Sequence, residues 1–123
     1  NLKKVALIGT KYTMEQNYIK GRLNERYDIE VLIPNAMQRE VVNRIIYEEL
    51  CVGIVSDKSK NDYLGIIESL IQQGAQGVIL GCTEIPLLIS QVDVSVPVFD
   101  TTQLHALAAV KQALSKEVLV ADV

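Results

Sequence analysis

The sequence predicts an α/β domain: a four-stranded parallel sheet flanked by helices, a three-layer lobe of the flavodoxin-like or Rossmann-like type. Three observations carry this expectation. Short continuous apolar runs recur at residues 5–8, 29–33, 78–80 and 96–99, and longer stretches with apolar residues at helical spacing separate them. Such runs show no polar alternation, as expected of strands buried on both faces and joined by crossover helices. The composition, 49% hydrophobic and 22% charged over 123 residues, suits one soluble domain with one core, spanning residues 1–123.

The elements follow in order. The run 5–8 is the first strand and ends at Gly9-Thr10. Thr13 with Gln16 three residues on is a capping-box pattern, so a helix is expected to start there. Met14, Tyr18, Ile19, Leu23 and Tyr27 would share one of its faces. The second strand, 29–33, stops at Pro34. Asn35 and Gln38 form another cap pair, and Val41, Val42, Ile45, Ile46 and Leu50 make the stripe of a core-facing helix, closed by Gly53. Cys51 reads as a buried or half-buried residue of that helix. Ser56 opens the next helix, with Tyr63, Ile66, Ile67, Leu70 and Ile71 facing inward and Gly74 as its stop. The third strand, 78–80, leads directly into Gly81-Cys82-Thr83-Glu84. A short helix over 85–89 is expected next, with Pro86 tolerated in its first turn. The fourth strand, 96–99, ends at Asp100-Thr101-Thr102, and an Ala- and Leu-rich helix runs to about residue 114.

In doubly wound sheets, ligands bind beyond the carboxyl ends of the strands. Those ends carry Gly9-Thr10, Gly81-Cys82-Thr83-Glu84 and Asp100-Thr101-Thr102, so the polar and reactive residues fall where this architecture places a site. Cys82, between a strand and a helix N-terminus, is expected to feel the positive end of the helix dipole, which favours its thiolate. The other reading is a cysteine packed as a small hydrophobe. Beside it, the Thr83 hydroxyl, the Glu84 carboxylate and free backbone N–H groups suit the carboxylate and ammonium of an amino acid. Equally, Thr83 can cap the helix while Glu84 complements its dipole. Gly81 would permit a close backbone approach.

Several function classes are disfavoured. The net charge of −3 and basic residues that occur in pairs, with no stripe, argue against nucleic acid or an anionic membrane as partner. No apolar run approaches the roughly 20 residues needed to span a bilayer. Gly9-Thr10-Lys11 matches only the tail of a phosphate-binding loop. Two cysteines and one histidine lack metal-ligand spacing, so a metal site is not expected. Two thiols in an acidic chain without a signal peptide fit a reducing cytoplasm. Opening at Asn1 almost directly on a strand, the sequence reads as a fragment or a processed chain.

The run Gly77-Val78-Ile79-Leu80-Gly81-Cys82-Thr83-Glu84-Ile85-Pro86-Leu87-Leu88 resembles the second cysteine motif of the aspartate/glutamate racemase family. Leu7-Ile8-Gly9-Thr10-Lys11-Tyr12-Thr13-Met14 is similar to the start of that family's second lobe. Ile46-Tyr47-Glu48-Glu49-Leu50 fits, as does Val96-Pro97-Val98-Phe99-Asp100-Thr101-Thr102 with His105. The likeness runs in order from residue 3 to about 115. It implies racemisation without pyridoxal phosphate or metal, in which two thiols, one from each pseudo-symmetric lobe, flank the substrate Cα. One thiolate removes the α-proton and the opposite thiol delivers another. By that resemblance Cys82 is one acid/base, Thr83 and Glu84 hold the substrate, and Thr10 and Thr13 belong to the same pocket. His105 lies near it or packs its helix.

The first lobe, with its own cysteine motif, is missing, and Cys51 lacks the strand–glycine–cysteine–threonine context to replace it. The implied partners are therefore an amino-acid substrate, an N-terminal lobe bearing the second thiol, and a further copy of the chain through the last helix or an exposed inter-lobe face. The apolar face of that helix (Leu104, Leu107, Ala108, Leu114) would otherwise pack on the missing lobe. Glu48-Glu49-Leu50-Cys51-Val52 lacks the lysine that some aspartate racemases carry nearby, which leaves aspartate, glutamate and broader specificity open. Two alternatives stand beside this reading: a hydantoin racemase-like enzyme, and a free-standing amino-acid-binding or redox-regulatory module.

Overall fold

The computed structural model describes residues 2–100. The strands β1 (Lys4–Ile8), β2 (Glu30–Leu32), β3 (Val78–Leu80) and β4 (Val98–Asp100) form one sheet in the order β2-β1-β3-β4. Every pairing is parallel, with Lys4 beside Glu30, Ala6 beside Val78 and Val78 beside Val98. The predicted four-stranded parallel sheet is therefore present, in the flavodoxin-like order, and each strand lies within a residue or two of its apolar run.

Strand alternation divides the core between two layers. From β1 and β3, Ala6, Ile8, Val78 and Leu80 face one cluster, while Val5, Leu7 and Ile79 face the other. The first cluster is covered by α3 (Ala36–Glu48) and α4 (Asp57–Gln72), and the second by α2 (Tyr18–Tyr27), through Ile19 and Leu23. Residues 5–8 of β1 are fully buried, as a central strand covered on both faces requires.

The first helix departs from expectation. α1 (Lys11–Glu15) starts directly off β1, with Thr10 as its N-cap accepting the Thr13 N–H at 3.2 Å. The Thr13–Gln16 pair does not start a helix, because Thr13 already lies within α1 and the Gln16 N–H donates to the Tyr12 carbonyl at 3.0 Å. The chain then breaks at Gln16-Asn17 before α2. This break lets Met14 enter the first core cluster while Ile19 and Leu23 enter the second. One continuous helix could not serve both faces.

α3 opens with the predicted capping box: Asn35 Oδ1 accepts the Gln38 N–H at 2.8 Å, and Gln38 Oε1 accepts the Asn35 N–H at 3.0 Å. Val42, Ile45 and Ile46 are buried along it. The helix ends at Glu48, earlier than its stripe suggested. Leu50 is buried from a separate 3₁₀ turn, Leu50–Val52, which Gly53 closes at φ 86°. That turn rotates Cys51 outward, so Cys51 is exposed and not a half-buried helix residue.

α4 begins at its predicted cap, where Ser56 Oγ accepts the Ser59 N–H at 3.1 Å. Tyr63 is fully buried and its hydroxyl donates to the Val42 carbonyl at 2.8 Å, tying α4 to α3. Gly74, at φ 112°, follows the helix and packs on the Lys4 side chain. The end of α4 thus lies at the amino end of β1. Its start, about 24 Å away by helical rise, lies at the carboxyl end of the sheet. The expected helix after residue 102 lies outside the described residues.

Replacing Tyr63 with Phe removes this buried hydrogen bond, while the Val42 carbonyl keeps its place within α3, and should cost about 0.5–1.5 kcal/mol. Urea denaturation measures this, and an unchanged midpoint would contradict the structural role given to the phenol.

Candidate active site

β1 and β3 are neighbours in the sheet, yet their crossovers leave in opposite directions, β1 toward β2 and β3 toward β4. A crevice opens at the carboxyl ends of such a strand pair. Gly9-Thr10 follows β1 and Gly81-Cys82 follows β3. The two ends touch: the Gly81 N–H donates to the Ile8 carbonyl at 2.6 Å. A Cβ on Gly81 would lie 3.1 Å from the Thr13 methyl and 3.3 Å from the Ile8 oxygen. The expectation that Gly81 permits a close approach is met, and the side chain approaching is that of Thr13. The Thr10 hydroxyl donates to the Thr13 hydroxyl at 3.0 Å. The structure therefore brings Thr10, Thr13 and the Cys82 strand end together.

Cys82 is half-buried and packs on the first core cluster. Its thiol donates to Glu84 Oε1 at 3.0 Å, and the Thr83 hydroxyl donates to the same oxygen at 3.1 Å. These bonds hold the Glu84 carboxyl below its usual range. The thiol moves the other way. Burial, then the hydrogen bond to the Glu84 carboxylate, push it up to about 11, against a smaller lowering from the Glu84 backbone N–H. The thiolate favoured by a helix N-terminus is thus not what this environment gives. The segment after Cys82 is a single 3₁₀ turn, Ile85–Leu87, and not the expected helix over 85–89. Pro86 lies in that turn, and so short an element has little dipole to offer. Nor does Thr83 cap it: its hydroxyl is turned to Glu84.

Two further groups border the thiol that the sequence did not single out for this role. Tyr63 of α4 and Cys51 of the 3₁₀ turn lie close enough for charge to be felt between each of them and Cys82. Burial, chiefly, holds Tyr63 in its phenol form. Behind them Glu49 accepts from Ser59 Oγ at 2.6 Å and Ser56 Oγ at 3.3 Å, fixing the 3₁₀ turn to the start of α4. The half-polar spacing of Glu49, Ser56 and Ser59 gave no signal, since it joins two elements across a turn. Just past Thr10, Lys11 is ion-paired with Glu40 of α3. His105, Thr101 and Thr102 lie outside the described residues. Among the described residues, no group of three His, Cys, Asp or Glu could hold a metal ion. No helix among them is long and apolar enough to cross a membrane.

A thiol, a hydroxyl and a carboxylate are thus joined by hydrogen bonds at a sheet switch point. Residues 1–109 match the model of the Asp/Glu/hydantoin racemase family. The chain belongs to that family. It is similar in structure to a Yersinia pestis protein classed with the Asp/Glu racemases, at 56% identity and a TM-score of 0.80, over 92% of this chain and 49% of that one. It is also similar to an aspartate racemase homologue from Pyrococcus horikoshii OT3, at 43% identity and a TM-score of 0.77, over 90% of this chain and 49% of the other. The Picrophilus torridus aspartate racemase shares the fold, at 23% identity and a TM-score of 0.63, over 90% of this chain and 44% of its own. The racemase-family chain thus spans about half the length of these solved structures.

Exposure and ionisation together set the order in which the two thiols react. At about pH 8, alkylation should label exposed Cys51 first and Cys82 many-fold more slowly, since the thiolate is the nucleophile. Peptide mass mapping over time reads the order; equal rates would contradict the protonated, half-buried state of Cys82.

Proposed function

We propose that this chain is one lobe of a cofactor-independent amino-acid racemase, and that Cys82 is one of its two acid/base groups. The observation that carries the reading is the thiol at the carboxyl end of β3, at the switch point, hydrogen-bonded to Glu84 and neighboured by Thr83, Thr10 and Thr13. Racemisation needs a proton acceptor on one face of the substrate Cα and a donor on the other. A thiol serves either role, and its S–H is the donor form at neutral pH. Glu84 offers a carboxylate to the substrate ammonium. Thr83, with Thr10 and Thr13 across the crevice, offers hydroxyls to its carboxylate.

The second thiol comes from the other lobe of a longer protein, consistent with a chain that covers 49% of two solved relatives. The surface around the site supports this reading. At the end of α3 and in the turn beyond it, Tyr47, Val52, Ile54 and Val55 are exposed, as is Leu87 beside the Cys82 segment. Exposed apolar side chains of this kind suit an interaction face. An aspartate, a glutamate or a broader range of amino acids remains within the reach of this geometry.

The longer protein carrying this lobe should racemise aspartate or glutamate in deuterium oxide with label appearing at Cα. Cys82→Ala should lower that rate by about 10²- to 10⁴-fold. Nuclear magnetic resonance and chiral chromatography follow both. Full activity in the Cys82→Ala enzyme would remove the thiol from the mechanism.

A further inference from the structure

We propose that Glu84 is an ammonium-operated latch: its Oε1 keeps the proton on Cys82 until the ammonium of a free α-amino acid takes that acceptor and releases the sulfur to act as a base. This deepens the racemase reading and rests on Cys82 being its acid/base.

The latch follows from how one oxygen is shared. Glu84 Oε1 accepts both the Cys82 S–H, at 3.0 Å, and the Thr83 O–H, at 3.1 Å. Those two donors occupy both lone pairs of that oxygen. A thiol is a weak donor, whereas an ammonium brings a full charge and forms the stronger, charge-assisted bond. Glu84 is only partly covered, so an incoming ligand can reach it. An ammonium that takes Oε1 displaces the S–H, and one that binds Oε2, which has acceptor sites of its own, equally neutralises the carboxylate that opposes negative charge on sulfur. The Glu84 backbone N–H still points at the sulfur and lowers its proton affinity. One residue thus disfavours the thiolate through its side chain and favours it through its main chain, and the ammonium removes only the first effect.

The surroundings call for a cation from outside. The groups that face Cys82 from the packed elements are Tyr63 of α4, Cys51 of the 3₁₀ turn and Glu84 itself, with Glu49 behind Tyr63. All are neutral or acidic. The nearest strand-end cation, Lys11, is paired with Glu40. Among the described residues, then, none of the groups acting on the thiol is positive. The chemistry selects ligands with a free primary ammonium. N-acylated amino acids and hydantoins, whose nitrogens are uncharged, would leave the latch closed.

The test follows the Cβ chemical shift of Cys82 by nuclear magnetic resonance during a pH titration. Cys51→Ser in the background leaves a single cysteine. With Glu84 present the midpoint should lie near 11. Glu84→Gln and Glu84→Ala should each bring it down toward the ordinary thiol value, with circular dichroism confirming the fold. At about pH 8, where an amino-acid ammonium is still protonated, L-glutamate should raise the thiolate share several-fold. N-acetyl-L-glutamate at equal ionic strength should not, and neither should act in the Glu84→Gln protein. An unmoved midpoint in both Glu84 variants, or equal effects of the two ligands, would overturn the latch. No arm requires turnover. Loss of racemisation by the longer enzyme and loss of the latch are therefore separate outcomes.

Discussion

The whole candidate site hangs on the contact between the ends of β1 and β3. Parallel pairing sets Ile8 beside Leu80, and the Gly81 amide then closes on the Ile8 carbonyl. At that distance there is room for the Thr13 methyl but none for a side chain on Gly81. Thr10 caps α1 immediately at the strand end, which swings Thr13 back over the junction. A thiol, two threonines and a carboxylate from segments some seventy residues apart in sequence are thereby collected at one crevice. The core below gives this arrangement its rigidity, since β1 and β3 are buried on both faces between helical layers.

How much of this could be read from sequence depends on how local each determinant is. The strands were legible because a parallel strand buried on both faces must be apolar at every position, and so were the Asn35 and Ser56 caps, whose chemistry is contained within four residues. The first helix was misplaced because Thr10 and Thr13 each look like caps, Thr10 for the Thr13 amide and Thr13 for the Gln16 amide, and only the strand end decides between them. The burial of Cys51 was misread for a related reason. Leu50 belongs to the apolar stripe but reaches the core from a 3₁₀ turn, and the change from 3.6 to about three residues per turn swings its neighbour to solvent. That Cys82, Thr83 and Glu84 stand together at a strand end was legible because their place between strand and turn is local. The nearness of Tyr63 and Cys51 was not, because it arises only when α3 and α4 pack.

The ionisation of Cys82 shows which local effect dominates. A charge at a well-formed helix N-terminus gains about 0.3–1 kcal/mol, equivalent to less than about one pH unit in a group's proton affinity. The turn after Cys82 has three residues, too few to align even that dipole. Against it stand partial burial in the apolar cluster and a carboxylate 3.0 Å from the sulfur, and these prevail. An acid/base thiol gains from this. A sulfur held permanently as thiolate is a poor proton donor, and one shielded from every charge is a poor base. A thiol governed by a single movable counter-charge can be switched between the two.

Under the proposed racemase reading, the same geometry accounts for the need for a second lobe. Inverting a carbon centre requires groups on opposite faces of one plane, and a sheet edge presents its side chains from one side only. Cys82, Thr83 and Glu84 all leave the carboxyl end of β3 within three residues of one another, so they approach a ligand from one direction. Cys51, on the adjoining turn, shares that side of the crevice. Tyr47, Val52, Ile54, Val55 and Leu87 are exposed, and a second lobe closing over the crevice would bury such side chains and exclude water from the reacting carbon. Binding energy for the closure and the second proton-transfer face would then come from one surface, which ties assembly of the protein to completion of its chemistry.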